Sequence, residues 1–364
     1  MNKYKVAVYA ICKNEEKFAG LWADNMSEAD VIIVTDTGST DGTIQKLEEK
    51  GVVVHREKIS PWRFDKARNV SLSHVPEDVD ICVCTDLDER FVKGWRHQLE
   101  TAWTTHKHQG PKRARYIYNW SLKPDGSPGM QFMYSKIHTR KGYRWKYPIH
   151  EWLVSDGKGR DFEFNVPGMV LNHYPDPNKS RGNYMPLLEM AVKEDPTDVR
   201  MTYYLGREYM FYHRYQPAID TLQAYLKLEG ANWDEERSAA MSWIAKCYQG
   251  LGRFDDAAKW HYKAVAEATH MRDPLARFAM FSYECKNWAM TYFLVEEALK
   301  IQNRSQTFTN DEMAWDSTLY DIGSVAAFQL KIKGRSLELG KIALSMEPSN
   351  ERFQKNVVLI EVSM

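Results

Sequence analysis

The residues of this sequence best suited to chemistry are the acids of Asp86-Leu87-Asp88-Glu89. They follow Ile81-Cys82-Val83-Cys84-Thr85, an uncharged run with β-branched residues that is too short for a helix and predicts a strand buried on both faces. Carboxylates crowded at the end of such a strand repel and raise one another's pKa unless a cation sits between them. Residues i and i+2 at a strand end can turn toward one point, and carboxylate oxygens suit Mg²⁺ or Mn²⁺, which in turn grips phosphate oxygens. The competing reading is a solvated acidic turn after a core strand, since Asp-x-Asp is a common tripeptide.

Elements able to position these acids precede them. Val6 to Ile11, Val31 to Val34 and Gly51 to His55 predict strands, separated by helical patterns up to about Met26, over Ile44 to Lys50 and over Phe64 to Ser73. Strand and helix alternating at this spacing imply a parallel sheet with right-handed crossovers, whose ligands bind outside the carboxyl ends of the strands. Three polar loops gather there: Cys12 to Glu16, Thr35 to Thr43, and Asp86 to Arg90. The loop Asp36-Thr37-Gly38-Ser39-Thr40-Asp41-Gly42-Thr43 offers turn glycines, and hydroxyls and carboxylates that either cap the next helix or meet a nucleoside. No Gly-Lys-Ser/Thr follows it and no Gly-x-Gly-x-x-Gly occurs, which excludes a P-loop and the dinucleotide fingerprint. Further on, Tyr116 to Trp120 and a stretch from Met130 flank Pro124-Asp125-Gly126, the signature of a hairpin.

Composition bounds the class. The chain has 364 residues, enough for two domains, with 43% hydrophobic and 27% charged residues. Lys+Arg and Asp+Glu are 49 each, so the basic excess of a nucleic-acid binder is missing. Five cysteines, two of them on one face of a buried strand, read as reduced core thiols, which with the short apolar run at Val6 to Cys12 and no membrane span implies a cytoplasmic protein.

Four motifs in order, Tyr9-Ala10-Ile11-Cys12-Lys13-Asn14-Glu15-Glu16, Val34 to Thr43, Phe64-Asp65-Lys66-Ala67-Arg68-Asn69 and Asp86-Leu87-Asp88-Glu89, resemble the GT-A glycosyltransferases of the family-two type. The sequence looks most similar to the bacterial and phage branch with a helical-repeat tail, which includes enzymes that glucosylate peptides such as sublancin. The resemblance spans roughly residues 4 to 175 and implies a Rossmann-like, mostly parallel α/β GT-A domain at 1–178. It implies an inverting transferase that takes a sugar from a nucleotide-diphosphate donor, a UDP-sugar, with Mn²⁺ or Mg²⁺, and passes it to a peptide, glycan or lipid-linked acceptor. Ala10, Cys12, Asn14 and Glu16 would wall the nucleotide pocket, and Asp36 would meet base or ribose, with Thr37 standing where many relatives carry a second acid. Arg68 and Leu87 would lie near the nucleotide. Asp86 would touch ribose or metal, Asp88 would ligate the metal, and His173 would be a further ligand. The base would be Glu151, with His150 as neighbour or alternative.

After residue 178 strand signals stop and helical periodicity continues to the end, giving an all-α domain at 179–364. Gly206, Tyr209 and Ala218 have the intervals of a tetratricopeptide repeat, and Ala245, Tyr248, Ala257 and Ala264 repeat them. Ala279 lies 34 residues after Ala245, and Ser324, Ser336, Ala343 and Pro348 form a degenerate last copy, for three to four repeats. Small residues belong where paired helices cross closely. Such a stack suits a peptide or a second copy of the chain. The alternative to a transferase is a non-catalytic scaffold carrying a decayed transferase domain.

Overall fold

The computed structural model describes residues 3–110, 112–157, 161–177 and 184–363. The chain divides into two compact units, 1–191 and 192–364. The boundary expected after residue 178 lies outside the described residues.

In the first unit, β1 (Val6–Cys12), β2 (Val31–Asp36), β3 (Val53–Arg56) and β4 (Ile81–Cys84) pair in parallel in the order β3-β2-β1-β4. Their connections carry α1 (Glu16–Met26), α2 (Thr43–Glu49) and α3 (Phe64–His74). Alternation along the strands builds two layers. Val6, Val8 and Ala10 of β1 and Ile81 and Val83 of β4 pack with Phe18 and Trp22 of α1 and with Trp95 and Leu99 of α4 (Trp95–Thr105). Ala7, Tyr9, Cys82 and Cys84 pack with Leu72 of α3, Trp145 and Leu153.

Beyond β4 the sheet leaves the parallel pattern. β5 (Glu89–Phe91), β6 (Lys112–Asn119), β7 (Gln131–Thr139) and β10 (Phe162–His173) complete an eight-stranded order β3-β2-β1-β4-β7-β6-β10-β5 among the described residues. β7 is antiparallel to both β4 and β6, β6 and β10 are parallel, and β5 closes the edge antiparallel to β10. The expected hairpin exists, turning at Gly126 with φ 82°, but it enters the middle of the sheet. β8 (Tyr143–Lys146) and β9 (Trp152–Ser155) form a separate ribbon.

The second unit repeats one device. α6 (Val199–Phe211) with α7 (Tyr215–Tyr225), α8 (Asp234–Gly250) with α9 (Phe254–Glu267), α10 (Arg272–Glu284) with α11 (Trp288–Lys300), and α12 (Thr318–Gln329) with α13 (Lys333–Met346) make four hairpins among the described residues. Before them α5 (Tyr184–Glu194) contains the division between units, and α14 (Glu351–Ser363) follows them. Three residues close each hairpin, the middle one left-handed: His213 (φ 57°), Gly252 (φ 73°), Lys286 (φ 56°) and Lys331 (φ 63°). The next N–H donates five residues back, Arg214 to Tyr209 at 2.9 Å, Arg253 to Tyr248 at 2.8 Å, Asn287 to Ser282 at 2.9 Å and Ile332 to Ala327 at 2.8 Å. This closure satisfies the last carbonyls of each first helix. A Cβ on Gly206 would sit 2.5 Å from Leu222 Cγ, which explains the small residue there. Across α12 and α13 the Ser324 and Ser336 hydroxyls each donate to the other's carbonyl at 2.8 Å.

All five cysteines are free thiols; Cys12, Cys82, Cys84 and Cys247 are buried and Cys285 is exposed. Among the described residues no helix is long and apolar enough to cross a membrane.

A buried polar chain in the first unit reports on folding. His138 Nδ1 is 2.7 Å from the Thr139 carbonyl, which only accepts, so Nδ1 carries the proton and Nε2 accepts from Tyr9 OH at 2.8 Å. Tyr9 in turn accepts from Trp145 Nε1 at 2.8 Å. Burial pushes the His138 pKa from 6.5 down to about 4. Between these values the unfolded chain takes up a proton that the folded chain lacks, so stability present above pH 6.5 is lost as pH falls toward 4. The expected loss is on the order of 3 kcal/mol. Denaturant titrations at pH 7 and pH 4 should show that His138→Gln loses less stability between the two than the parent chain does.

Candidate active site

The acids expected to do chemistry lie at the carboxyl edge of β4, and most are already paired. Asp86 Oδ1 accepts from Arg68 Nη2 at 2.8 Å and Oδ2 from Lys136 Nζ at 2.9 Å. Arg68, on α3 and 4% exposed, also donates through Nε to Glu151 Oε1 and through Nη1 to Cys84 Sγ at 3.3 Å. Its guanidinium carbon is 5.3 Å from the centre of the Trp145 ring. Lys136 on β7 reaches the Glu89 oxygens at 3.1 and 3.4 Å. Glu89 further accepts from Tyr118 OH and from the Asp86 N–H, each at 2.9 Å. Two buried cations and three carboxylates thus form one network.

The charges sort by the number of cations each acid meets. Burial alone would raise the Asp86 pKa, but the charges of Arg68 and Lys136 prevail and hold it well below the usual carboxylate range. Glu89 moves upward, because burial and its neighbours Asp86 and Asp88 outweigh Lys136. Against their burial, Asp86 with Glu151 raises Arg68, and Asp86 with Glu89 raises Lys136.

Asp88 stands in a second pair. Its Oδ2 is 3.6 Å from His173 Nε2, and His173 Nδ1 is 3.0 Å from the Trp120 carbonyl. Nδ1 therefore carries a proton, and Nε2 is the nitrogen that faces Asp88. Burial opposes charge on His173, yet the hydrogen bond and charge of Asp88 raise its pKa.

Among the described residues no three His, Cys, Asp or Glu side chains form a protein-only metal cage. A cation shared with a diphosphate needs only one or two protein ligands. As arranged, Asp86 does not fit that role, since both its oxygens carry cationic donors. Asp88 and His173 do fit, with the ring fixed through its other nitrogen as for a ligating histidine.

The first two loops are stitched to each other. The Asn14 N–H donates to Ser39 Oγ, and Asn14 Oδ1 accepts from the Thr40 N–H, both at 2.8 Å. Thr37 Oγ1 donates to the Cys12 carbonyl at 2.9 Å, and Glu16 Oε2 accepts from the Gly42 N–H at 3.2 Å. Asp36 is 2% exposed, and its Oδ1 accepts from the N–H groups of Gly38 at 2.9 Å and Ser39 at 3.0 Å, while Cys12 Sγ lies 3.4 Å from Oδ2. Burial would raise its pKa, but these donors lower it. Ala10 and Leu87 sit in the apolar core, and the Ala10 carbonyl accepts from Ser71 Oγ at 2.9 Å.

Glu151 and His150 lie in the turn between β8 and β9, where Tyr147 has φ 86° and His150 φ 50°. That left-handed backbone is uncommon outside glycine. It brings Glu151 to Arg68, while the His150 ring meets Tyr184 edge-on at 5.8 Å between centres.

The chain is similar to the lipopolysaccharide core biosynthesis glycosyltransferase LpsC of Rhizobium meliloti, 27% identical over 163 residues. The match covers 43% of this chain and spans 59% of the length of that relative. No family model matches the chain. Among solved structures, MamA is similar at 15% identity and TM-score 0.37 over 46% of this chain and 89% of that one. The C-terminal part of a TPR repeat-containing protein from Cytophaga hutchinsonii is similar at 12% identity and TM-score 0.41, over 49% of this chain and 64% of that one.

Sequence reasoning missed Lys136 and Tyr118 and took Glu89 only as one of an acidic run. The signal for Lys136 was a lysine inside the alternating strand Tyr134-Ser135-Lys136-Ile137-His138, where an inward ammonium must meet acids.

Lys136→Met leaves Glu89 and Asp86 with one cation between them. Breaking such a buried pair typically costs about 3–5 kcal/mol. Chemical denaturation should show that loss in Lys136→Met and recovery of more than half of it in Lys136→Met/Glu89→Met.

Proposed function

We propose that the amino-terminal domain is a GT-A-type glycosyltransferase that moves a sugar from a nucleotide-diphosphate donor to a hydroxyl acceptor with inversion. The observation that carries this reading is the gathering of Asp86, Asp88, Glu151 and His173 at the ends of β4, β5, β9 and β10, with Arg68 joining Asp86 to Glu151. The similarity to a lipopolysaccharide core glycosyltransferase supports it and favours a glycan acceptor.

Each residue then has a task. Cys12 to Glu16 and Asp36 to Thr43 shape one nucleoside-binding edge, with Asp36 holding the second loop through the N–H groups of Gly38 and Ser39. Asp88 and His173 would hold Mn²⁺ or Mg²⁺, which when bound stabilises charge on the departing nucleoside diphosphate. Glu151 takes the proton from the acceptor hydroxyl, and Arg68 keeps its carboxylate aimed. A UDP-sugar is the donor we favour, on the resemblance to family-two enzymes.

One observation favours a second reading, a non-catalytic scaffold: both Asp86 and Glu151 are already neutralised by cations. Thermal unfolding with UDP and Mn²⁺ separates the two, since a shift supports the transferase and no shift with any nucleotide and metal supports the scaffold.

In a screen of nucleotide sugars, the parent chain should release nucleoside diphosphate. Asp88→Asn should abolish metal-dependent release while keeping the fold. Glu151→Gln should retain donor binding and slow transfer about 10²–10⁴-fold, the usual weight of a general base. Unaltered transfer in Glu151→Gln would place the base elsewhere.

A further inference from the structure

Connections between successive hairpins of the second unit are short, residues 226–233 and 268–271, except for residues 301–317 between α11 and α12. A connection of this length with only a 3-10 turn, Glu312–Ala314, is unusual in a compact domain and commonly functional. It lies on the first helices of the earlier hairpins, α6, α8 and α10, which pack on one another.

The contacts resemble those of a ligand. Ser305, Thr307 and Thr309, every second residue, converge on the Glu235 carboxylate at the start of α8, at 2.9, 2.5 and 3.2 Å from Oε2. Phe308 enters an aromatic cluster, with ring centres 5.4 Å from Trp233, 6.2 Å from Tyr204 and 6.5 Å from Tyr203. Arg277 of α10 holds the far end through the Thr309 carbonyl and Asp311 Oδ2, both at 3.2 Å. One turn beyond Tyr204 on α6, Glu208 is 1% exposed, and its Oε2 has no hydrogen-bond partner among the described residues.

We propose that residues 304–311 are a built-in occupant of a peptide-binding face on α6, α8 and α10. The partner they stand in for is a peptide carrying a phenylalanine flanked by serine or threonine at alternate positions. The hydroxyls answer to Glu235, and the phenyl ring answers to Trp233, Tyr203 and Tyr204. Because the strap is tethered, its effective concentration is about millimolar, and an outside peptide binds only by exceeding it. This inference is independent of transferase chemistry, and every residue in it lies in the second unit.

The test uses the full chain and a fluorescein-labelled peptide with the sequence of residues 303–312. By fluorescence anisotropy, Thr307→Ala/Phe308→Ala should bind it at least tenfold tighter than the parent chain. Adding Glu235→Gln to that variant should lower affinity tenfold, and a peptide with alanine in place of its phenylalanine should not bind. Failure of the folded double variant to bind the peptide, with its helical circular dichroism kept, would overturn the proposal. If the double variant loses its helical signal, hydrogen exchange on the parent chain decides. Faster exchange of the 305–310 amides under excess peptide supports the strap, and unchanged exchange overturns it.

Discussion

A guanidinium taken almost wholly out of water governs the first unit. Arg68 leaves its helix to hold Asp86 at the end of β4 and Glu151 in the ribbon turn, so one side chain fixes elements that are far apart in sequence. Arginine suits this place because its planar fork serves several acceptors at once and stays charged when buried. The cost of burying it is offset only because each donor direction finds an acceptor or the Trp145 face. The left-handed residues Tyr147 and His150 belong to the same constraint, since their turn delivers Glu151 to Arg68.

Lys136 extends that arrangement to the other half of the sheet. The β6–β7 hairpin enters between β4 and β10, and its lysine settles the like charges of Asp86 and Glu89. The sequence posed the same electrostatic problem, three acids at a strand end, and suggested a divalent ion as its solution. For Asp86 and Glu89 the chain supplies its own cations. Asp88 is paired instead with His173, across the β5–β10 edge.

Much of the fold was legible because alternation and period are local. Val6 to Cys12 and Ile81 to Cys84 announce two-faced burial, and each sends alternate side chains into different cores. The Pro124-Asp125-Gly126 turn announced a hairpin. Its insertion into the middle of the sheet was not legible, because pairing between distant strands depends on which edges remain open, not on any local pattern. The proposed roles of Ala10 and Leu87 came from resemblance alone, and packing places both in the core. In the second unit the small residues at Gly206, Ser324 and Ser336 marked the helix crossings. His213, Lys286 and Lys331 gave no hint of left-handed turns, which Gly252 alone advertises.

Thiol burial has a practical side. Burial pushes the Cys82, Cys84 and Cys247 thiols up to about 12, 11 and 12 and Cys12 higher still, so at neutral pH none of them supplies much reactive thiolate. Cys285, at the bend between α10 and α11, is the exposed one. Because the other four thiols are buried, a maleimide dye or spin label would mark that single bend, and the repeat half could be watched spectroscopically without engineering a handle.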